Sequence, residues 1–146
     1  MTAPGAAGHY LLVLRLAETG TLRIGIRPAV PFAAGWHVYV GSAQGSGGLA
    51  ARLGRHQRTD KRPYWHIDWL RAETEVASIW ARPGATGREC AWVAALEEIG
   101  GHRQSPGFGS GDCRCPGHLV WFAAPPDVAA MRDITGEQAF RLWSTA

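Results

Sequence analysis

The chain has 146 residues, of which 46% are hydrophobic, and it carries a formal net charge of +3. This length predicts one domain, and the apolar content, with seven Trp residues, excludes a disordered chain. The modest positive charge favours an anionic partner. No apolar run approaches the roughly 18 residues of a membrane span, so we expect no membrane association.

The N-terminus and the cysteines indicate a cytoplasmic protein. Residues 1–8 have no positive charge ahead of an apolar run, so we interpret them as a flexible lead-in rather than a signal peptide. The single domain then spans residues 9–146. The three cysteines, Cys90, Cys113 and Cys115, are odd in number, and two of them are one residue apart. This argues against a disulfide framework and for a reducing compartment.

Two periodicities divide the chain into strands and helices. Alternating or unbroken apolar runs predict strands at residues 9–16, 21–27, 36–41, 74–80 and 119–123. Apolar residues three and four apart predict helices at residues 49–57, 64–72 and 88–99. A helical turn at residues 127–131 and a last helix capped by Thr135 form a predicted C-terminal helical extension over residues 126–146.

These elements predict a single mixed α+β domain without repeats or linkers. A four-residue turn joins the first two strands, which predicts a hairpin between them. The strand at residues 119–123 is wholly apolar, which predicts an interior position in the sheet. The glycine-rich loop at residues 100–117 is long, and long structured loops in compact domains are commonly functional.

The helix after the glycine-rich turn at residues 44–48 has an unusual stripe. Leu49, Arg52, Leu53 and His56 follow at i, i+3, i+4 and i+7, so they share one face. An Arg and a His on a stripe that a helix normally buries predict either the rim of a cleft or buried partners.

Five polar residues on predicted strands and helices form a chemically coherent set: Tyr10, Tyr39, Arg52, His56 and Glu89. A carboxylate can hold a divalent cation, an Arg can neutralise a phosphate, and a Tyr or a His can accept a proton from water. Together these groups suit phosphodiester hydrolysis with one metal ion. Each also has a structural interpretation. The two tyrosines are then packed residues, and Glu89 is a first-turn carboxylate that interacts with the helix dipole. Arg52 and His56 then pair with Glu89 or with loop carbonyls. The pattern leaves both interpretations open.

Two further groups have alternative interpretations. The basic residues Arg52, Arg55, Arg58, Lys61 and Arg62 predict either a nucleic-acid surface or a solvated face. His66 is either a phosphate contact or a packed residue. Zinc accepts the ligand types of a second group, namely Cys90, Cys113, Cys115 and His118. Its spacing matches no standard finger or ribbon, so reduced thiols packed near the cleft are the favoured alternative.

In chain order, several motifs resemble the GIY-YIG nuclease superfamily. They are Gly8-His9-Tyr10, Tyr39-Val40-Gly41, Arg52 with His56 one turn later, and a helical Glu89. Further segments resemble the branch catalogued as domain of unknown function 123, which is fused in some proteins to base-excision-repair glycosylases. These segments are residues 36–43, 47–49, 65–70, 88–90, 107–109 and 112–119. The resemblance covers residues 8–122.

The resemblance implies a small three-stranded antiparallel sheet, with an extra hairpin or edge strand, flanked by helices. It also implies metal-dependent cleavage of the nucleic-acid backbone. Tyr10 would be the general base or would position the attacking water, and Tyr39 would share that network. Arg52 would contact the scissile phosphate, His56 would bond and tune a tyrosine, and Glu89 would bind one Mg²⁺ or Mn²⁺.

The chain departs from the family pattern in two places. The spacing from Tyr10 to Tyr39 is longer than in compact members, because a strand and a proline-containing loop are inserted. The chain contains no Asn, so the Asn that usually follows the metal-binding Glu is missing. Either His118 or Asp112 takes its place, or no residue does and activity is lost.

We therefore expect a divalent-metal-dependent endonuclease acting on DNA, single-stranded or branched forms included, in repair or nucleic-acid processing. The choice between DNA and RNA stays open. Additional nucleic-acid contacts are expected from Arg55, Arg58, Lys61, Arg62, His66 and His118. One alternative is a catalytically silent nucleic-acid-binding module that uses residues 52–62, and another is a zinc-stabilised protein-interaction domain.

Overall fold

The computed structural model describes residues 6–25, 29–45, 47–58, 66–103, 118–136 and 140–144. The strands in this part of the chain are β1 (Gly8–Leu16), β2 (Gly20–Leu22), β3 (Val30–Phe32), β4 (Gly35–Ala43), β5 (Glu75–Pro83), β6 (His102–Arg103), β7 (Leu119–Phe122) and β8 (Phe140–Ser144). The helices are α1 (Gly48–Gln57), α2 (His66–Ala72), α3 (Glu89–Glu98) and α4 (Val128–Thr135). None of these helices is long and apolar enough to cross a membrane.

Six of the described strands form one sheet in the order β6-β7-β4-β1-β5-β8. Every pairing in it is antiparallel. The central strands β4, β1 and β5 confirm the predicted three-stranded antiparallel core, which β7, β6 and β8 extend at its two edges. The predicted interior position of β7 is also correct, because β6 pairs with its outer edge.

Strand β1 is buried on both faces, so helices cover both sides of the sheet. Tyr10, Leu12 and Leu14 belong to the core shared with α1 and α2. Leu11 and Val13 belong to the core shared with α3 and α4. Each large apolar side chain buried here stabilises the fold by roughly 1.5–3 kcal/mol. Because both cores share one sheet, the chain folds as a single α+β domain, as predicted.

The predicted hairpin between residues 9–16 and 21–27 is wrong. Strand β1 pairs with β4 and β5, whereas β2 pairs with β3 in a separate two-stranded sheet. A strand buried on both faces is best paired with strands that are themselves apolar on both faces. The run at residues 21–27 has Thr21 and Arg23 exposed on one side, so it packs Ile24 against the core instead of joining β1.

The C-terminal helical extension is only partly correct. Helix α4 is present, and its N-cap is Asp127, whose carboxylate accepts the backbone N–H of Ala130 at 3.0 Å. Thr135 ends this helix instead of capping another one. The next residue, Gly136, has φ of 93°, a positive value that glycine adopts readily and that does not continue a helix. Residues 140–144 then form β8, which pairs with the otherwise open edge of β5.

The N-terminal lead-in is shorter than predicted. Gly8 already belongs to β1, and residues 1–5 lie outside the described part. The carbonyl oxygens of Ala6 and Ala7 accept the backbone N–H groups of Leu49 and Gly84, each at 2.9 Å. These bonds tie the start of the chain to α1 and to the end of β5.

His37 on β4 makes stability depend on pH. Its side chain is fully buried, and its Nε2–H donates to the carbonyl oxygen of Ala33 at 2.9 Å. Burial lowers the pKa of His37 below 6.5. The folded protein therefore keeps the ring neutral, while the unfolded chain binds a proton below about pH 6.5. We expect the free energy of unfolding to fall between about pH 7.5 and pH 5.5.

Urea unfolding of the wild type and of His37→Gln at both pH values tests this expectation. Gln keeps a donor for Ala33 but does not titrate, so the variant should lose part of the pH dependence. His9, whose pKa is also lowered by burial, accounts for a remainder. An unchanged pH dependence in the variant would show that His37 is not responsible.

Candidate active site

A buried hydrogen bond joins β1 to α1. The hydroxyl of Tyr10 lies 2.6 Å from Nε2 of His56, and both side chains have no exposed surface. Leu49 and Leu53 on the same helical stripe pack into the same core. The sequence left two possibilities for this stripe, the rim of a cleft or buried partners. For His56 the structure shows a buried partner.

The glycine of Tyr39-Val40-Gly41 makes room for the Tyr10 ring. Gly41 is paired directly opposite Tyr10 in the sheet. A Cβ atom at Gly41 would overlap the Cζ and hydroxyl oxygen of that ring. The glycine is therefore required by a close approach between neighbouring strands, because no larger residue fits beneath the ring.

Tyr39 lies beside this pair and is half-buried. Its ring centroid is 6.2 Å from that of Tyr10 and 6.2 Å from that of His56. Burial raises the pKa of Tyr39 to about 12 and that of Tyr10 well above 10, while the charge of Arg52 opposes both increases. Both phenols are therefore neutral at physiological pH and can donate as well as accept hydrogen bonds.

Arg52 lies at the end of β4, one turn before His56. Its Nη1 donates to the backbone oxygen of Ser42 at 3.1 Å, and the residue is half-buried. The bond brings the guanidinium to the end of the sheet, within electrostatic reach of both tyrosines. This places a positive charge where an anionic ligand could enter.

Glu89 is the first residue of α3, and its carboxylate is partly exposed, with 27% of the side chain accessible. Oε2 lies 3.7 Å from Nδ1 of His118, whose side chain is almost wholly buried. The backbone oxygen of His118 accepts the N–H of Val40 at 2.9 Å, which ties this corner to β4. The negative charge of Glu89 is felt at Tyr39, where it raises the pKa.

The structure describes some of the residues expected to contact nucleic acid. His118 is almost wholly buried beside Glu89. Arg55 is bonded at 2.7 Å to Asp68, whose carboxylate is fully buried, so its charge first compensates that group. Arg58 is exposed. Lys61, Arg62 and Asp112 lie outside the described residues, as does the side chain of His66.

The expectation of reduced thiols is wrong for Cys90, which is disulfide-bonded. A sulfur in a disulfide offers no thiolate to a zinc ion. Cys113 and Cys115, the other members of the possible zinc set, lie outside the described part of the chain. Within the described part, no three His, Cys, Asp or Glu residues are grouped so as to hold a metal ion.

Sequence reasoning missed two polar residues near the site. His9, on the α3 side of the sheet, accepts the backbone N–H of Arg88 at its Nε2 and bonds Ser42 at its Nδ1. Asp68 on α2 is buried and paired with Arg55. The partners of both residues come from distant parts of the chain, so local spacing carries no signal for them.

The fold and the site define a single α+β domain with a polar cluster at one end of an antiparallel sheet. A family model described as Domain of unknown function DUF123 matches residues 9–139. The match spans most of the chain, and the protein belongs to this family. No curated protein and no solved structure matches the chain.

The close approach at Gly41 predicts the effect of an added methyl group. Gly41→Ala should lower the free energy of unfolding by about 1–3 kcal/mol, because the Tyr10 ring must move. Gly54→Ala is the matched control, since a Cβ at that exposed helical position meets nothing within 4 Å. It should be neutral or stabilising by up to about 1 kcal/mol.

Chemical denaturation of both variants measures the difference directly. Equal stability of Gly41→Ala and the wild type would mean that the ring of Tyr10 does not need the space that Gly41 leaves.

Proposed function

We propose that this protein is a divalent-metal-dependent endonuclease that hydrolyses phosphodiester bonds in DNA, in repair or nucleic-acid processing. The observation that supports this most directly is the convergence of Tyr10, Tyr39, Arg52, His56 and Glu89 at one end of the sheet. Two strands and two helices from opposite faces supply these residues. Packing alone does not require this combination of phenols, a cation and a carboxylate.

The proposed cofactor is one Mg²⁺ or Mn²⁺ ion held by Glu89. Mg²⁺ keeps several waters and is commonly bound by one or two carboxylates together with substrate phosphates. The partly exposed carboxylate of Glu89 fits that requirement, with His118 beside it to orient one oxygen. When bound, the ion supplies charge neutralisation at the phosphoryl group and activation of water.

Arg52 is assigned to the scissile phosphate. A guanidinium has five N–H donors in a planar fork, so the bond from Nη1 to Ser42 is compatible with contacts to phosphate oxygens. Bidentate Arg–phosphate contacts orient as well as attract the anion. In this role Arg52 holds the phosphate close to Tyr39 and Glu89 and stabilises its developing charge.

The two tyrosines receive different roles. Tyr10 is fully buried and bonded to His56, so we assign it to positioning: it holds α1, and with it Arg52, against the sheet. Tyr39 is half-buried and is the one better placed to touch water. Its pKa of about 12 makes it a neutral hydrogen-bonding group, and added positive charge would be needed before it could accept a proton as a base.

A second candidate is a catalytically silent nucleic-acid-binding module, because burial raises the pKa of both tyrosines and leaves neither of them ionised as a base at physiological pH. Its binding surface would include Arg52 and the exposed Arg58.

A cytoplasmic location is also a proposal. The disulfide at Cys90 speaks against it, because disulfides are rare in the cytosol.

The carboxylate of Glu89 separates the two candidates. We expect labelled single- and double-stranded DNA to be cleaved by the wild type in Mg²⁺ or Mn²⁺. Glu89→Gln should reduce the rate by about 100-fold or more, because it removes the charged metal ligand. DNA binding in EDTA should stay within about twofold of the wild type, since it depends on cations rather than on Glu89.

Glu98→Gln is the matched control, since Glu98 is an exposed carboxylate at the other end of the same helix, and it should cleave at the wild-type rate. Binding by every variant without cleavage by any of them would reject the endonuclease and support the silent module. RNA substrates in the same assay decide between the two nucleic acids.

A further inference from the structure

We propose, on the basis of the endonuclease function above, that His9 is a positioning residue that sets the separation of Glu89 and Arg52. Its ring links the start of α3, which carries Glu89, to Ser42 on β4, which holds Arg52. His9 lies within the Gly8-His9-Tyr10 motif, but it is not one of the five residues on which the proposed function rests.

The link to α3 is a hydrogen bond from the residue that precedes Glu89. The backbone N–H of Arg88 donates to Nε2 of His9 at 3.1 Å. Arg88 is the N-cap of α3, and its backbone N–H is one of the donors that a helix start leaves without an intrahelical partner. The His9 ring accepts this N–H. The position of the first turn of α3, and hence of Glu89, is therefore fixed relative to β1.

The link to Arg52 runs through Ser42, which is paired opposite His9 in the sheet. Nδ1 of His9 lies 3.2 Å from the Ser42 hydroxyl oxygen, which also accepts Nε2–H of Gln44 at 2.8 Å. The backbone oxygen of the same serine accepts the guanidinium of Arg52. His9 therefore contacts Ser42, which binds Arg52, the proposed phosphate ligand. It also binds the N–H that directly precedes Glu89, the proposed metal ligand.

Only a neutral histidine can make both bonds. Nε2 must be unprotonated to accept the N–H of Arg88, so the ring proton is on Nδ1 and is donated to Ser42. The surroundings favour that form: the ring is 1% exposed, and burial together with the nearby Arg88 and His118 lowers its pKa. A phenylalanine would keep the edge-on contact with Trp92 and lose both bonds.

The experiment compares His9→Phe and His9→Gln with His37→Phe. Gln offers an oxygen and an N–H in place of the two ring nitrogens, whereas Phe offers neither. His37 is the control, because it is a buried histidine of the same sheet whose ring bonds Ala33, away from the site. Three quantities are measured: Mn²⁺ affinity by electron paramagnetic resonance of the free ion, kcat and KM on labelled DNA, and exchange of the Arg88 and Glu89 amides by NMR.

His9→Phe should weaken Mn²⁺ binding and lower kcat by about 10-fold each, the effect typical of residues that orient a metal ligand. KM should change by less than about twofold, because the cations that bind DNA remain. His9→Gln should recover part of the loss, and His37→Phe should match the wild type in all three quantities once folded. Wild-type Mn²⁺ affinity and kcat in His9→Phe would overturn the proposal.

Failure of the proposed function gives a different result. In that case the wild type itself neither binds Mn²⁺ nor cleaves DNA, and the amide exchange decides the role of His9. Exchange about 10-fold faster at Arg88 in His9→Phe, but not in His37→Phe, supports the link to α3. Unchanged exchange overturns that link.

Discussion

The hydrogen bond between Tyr10 and His56 is the interaction on which the rest of the site depends. Both of its side chains are fully buried, and a buried polar group without a partner costs roughly 1–3 kcal/mol. The Tyr10 ring can occupy its position because Gly41 has no side chain. The bond therefore sets how closely α1 approaches the sheet and which face it turns inward. That orientation in turn brings Arg52, one turn earlier, to the end of β4.

The site lies where the two layers of helices meet. Tyr10 and Tyr39 face α1 and α2, whereas α3 covers the opposite side of the sheet. Glu89 reaches the tyrosine side because α3 begins at the same end of the sheet at which β4 ends. His118 lies at this end as well, since its backbone oxygen bonds β4 immediately before β7 begins. A cation and a carboxylate from opposite layers thus flank two neutral phenols, an arrangement that suits a phosphate and a metal ion.

The sequence predicted the parts of this structure that depend on local pattern. Helical spacing was enough to place Arg52 and His56 on one inward stripe, and alternation located the central strands. Strand pairing is not local: the hairpin failed because the edges of β1 belong to strands buried on both faces. The sequence predicted a helix over residues 140–144, whereas they form a strand along the edge of β5, a pairing that local spacing does not show. His9 and Asp68 were missed because their partners, a backbone N–H and a guanidinium, come from remote segments.

The proposed endonuclease requires a divalent ion at Glu89, beside Tyr39. Mn²⁺ titrated into ¹⁵N-labelled protein broadens the NMR signals of residues close to the ion, so it reports the location of the site without requiring turnover. We expect selective loss of the amide signals of Glu89, His118 and Val40 in the wild type, and retention of all three in Glu89→Gln. Loss centred on Glu75, which pairs with Arg15 near the opposite end of β1, or loss that is unchanged in the variant, would contradict it.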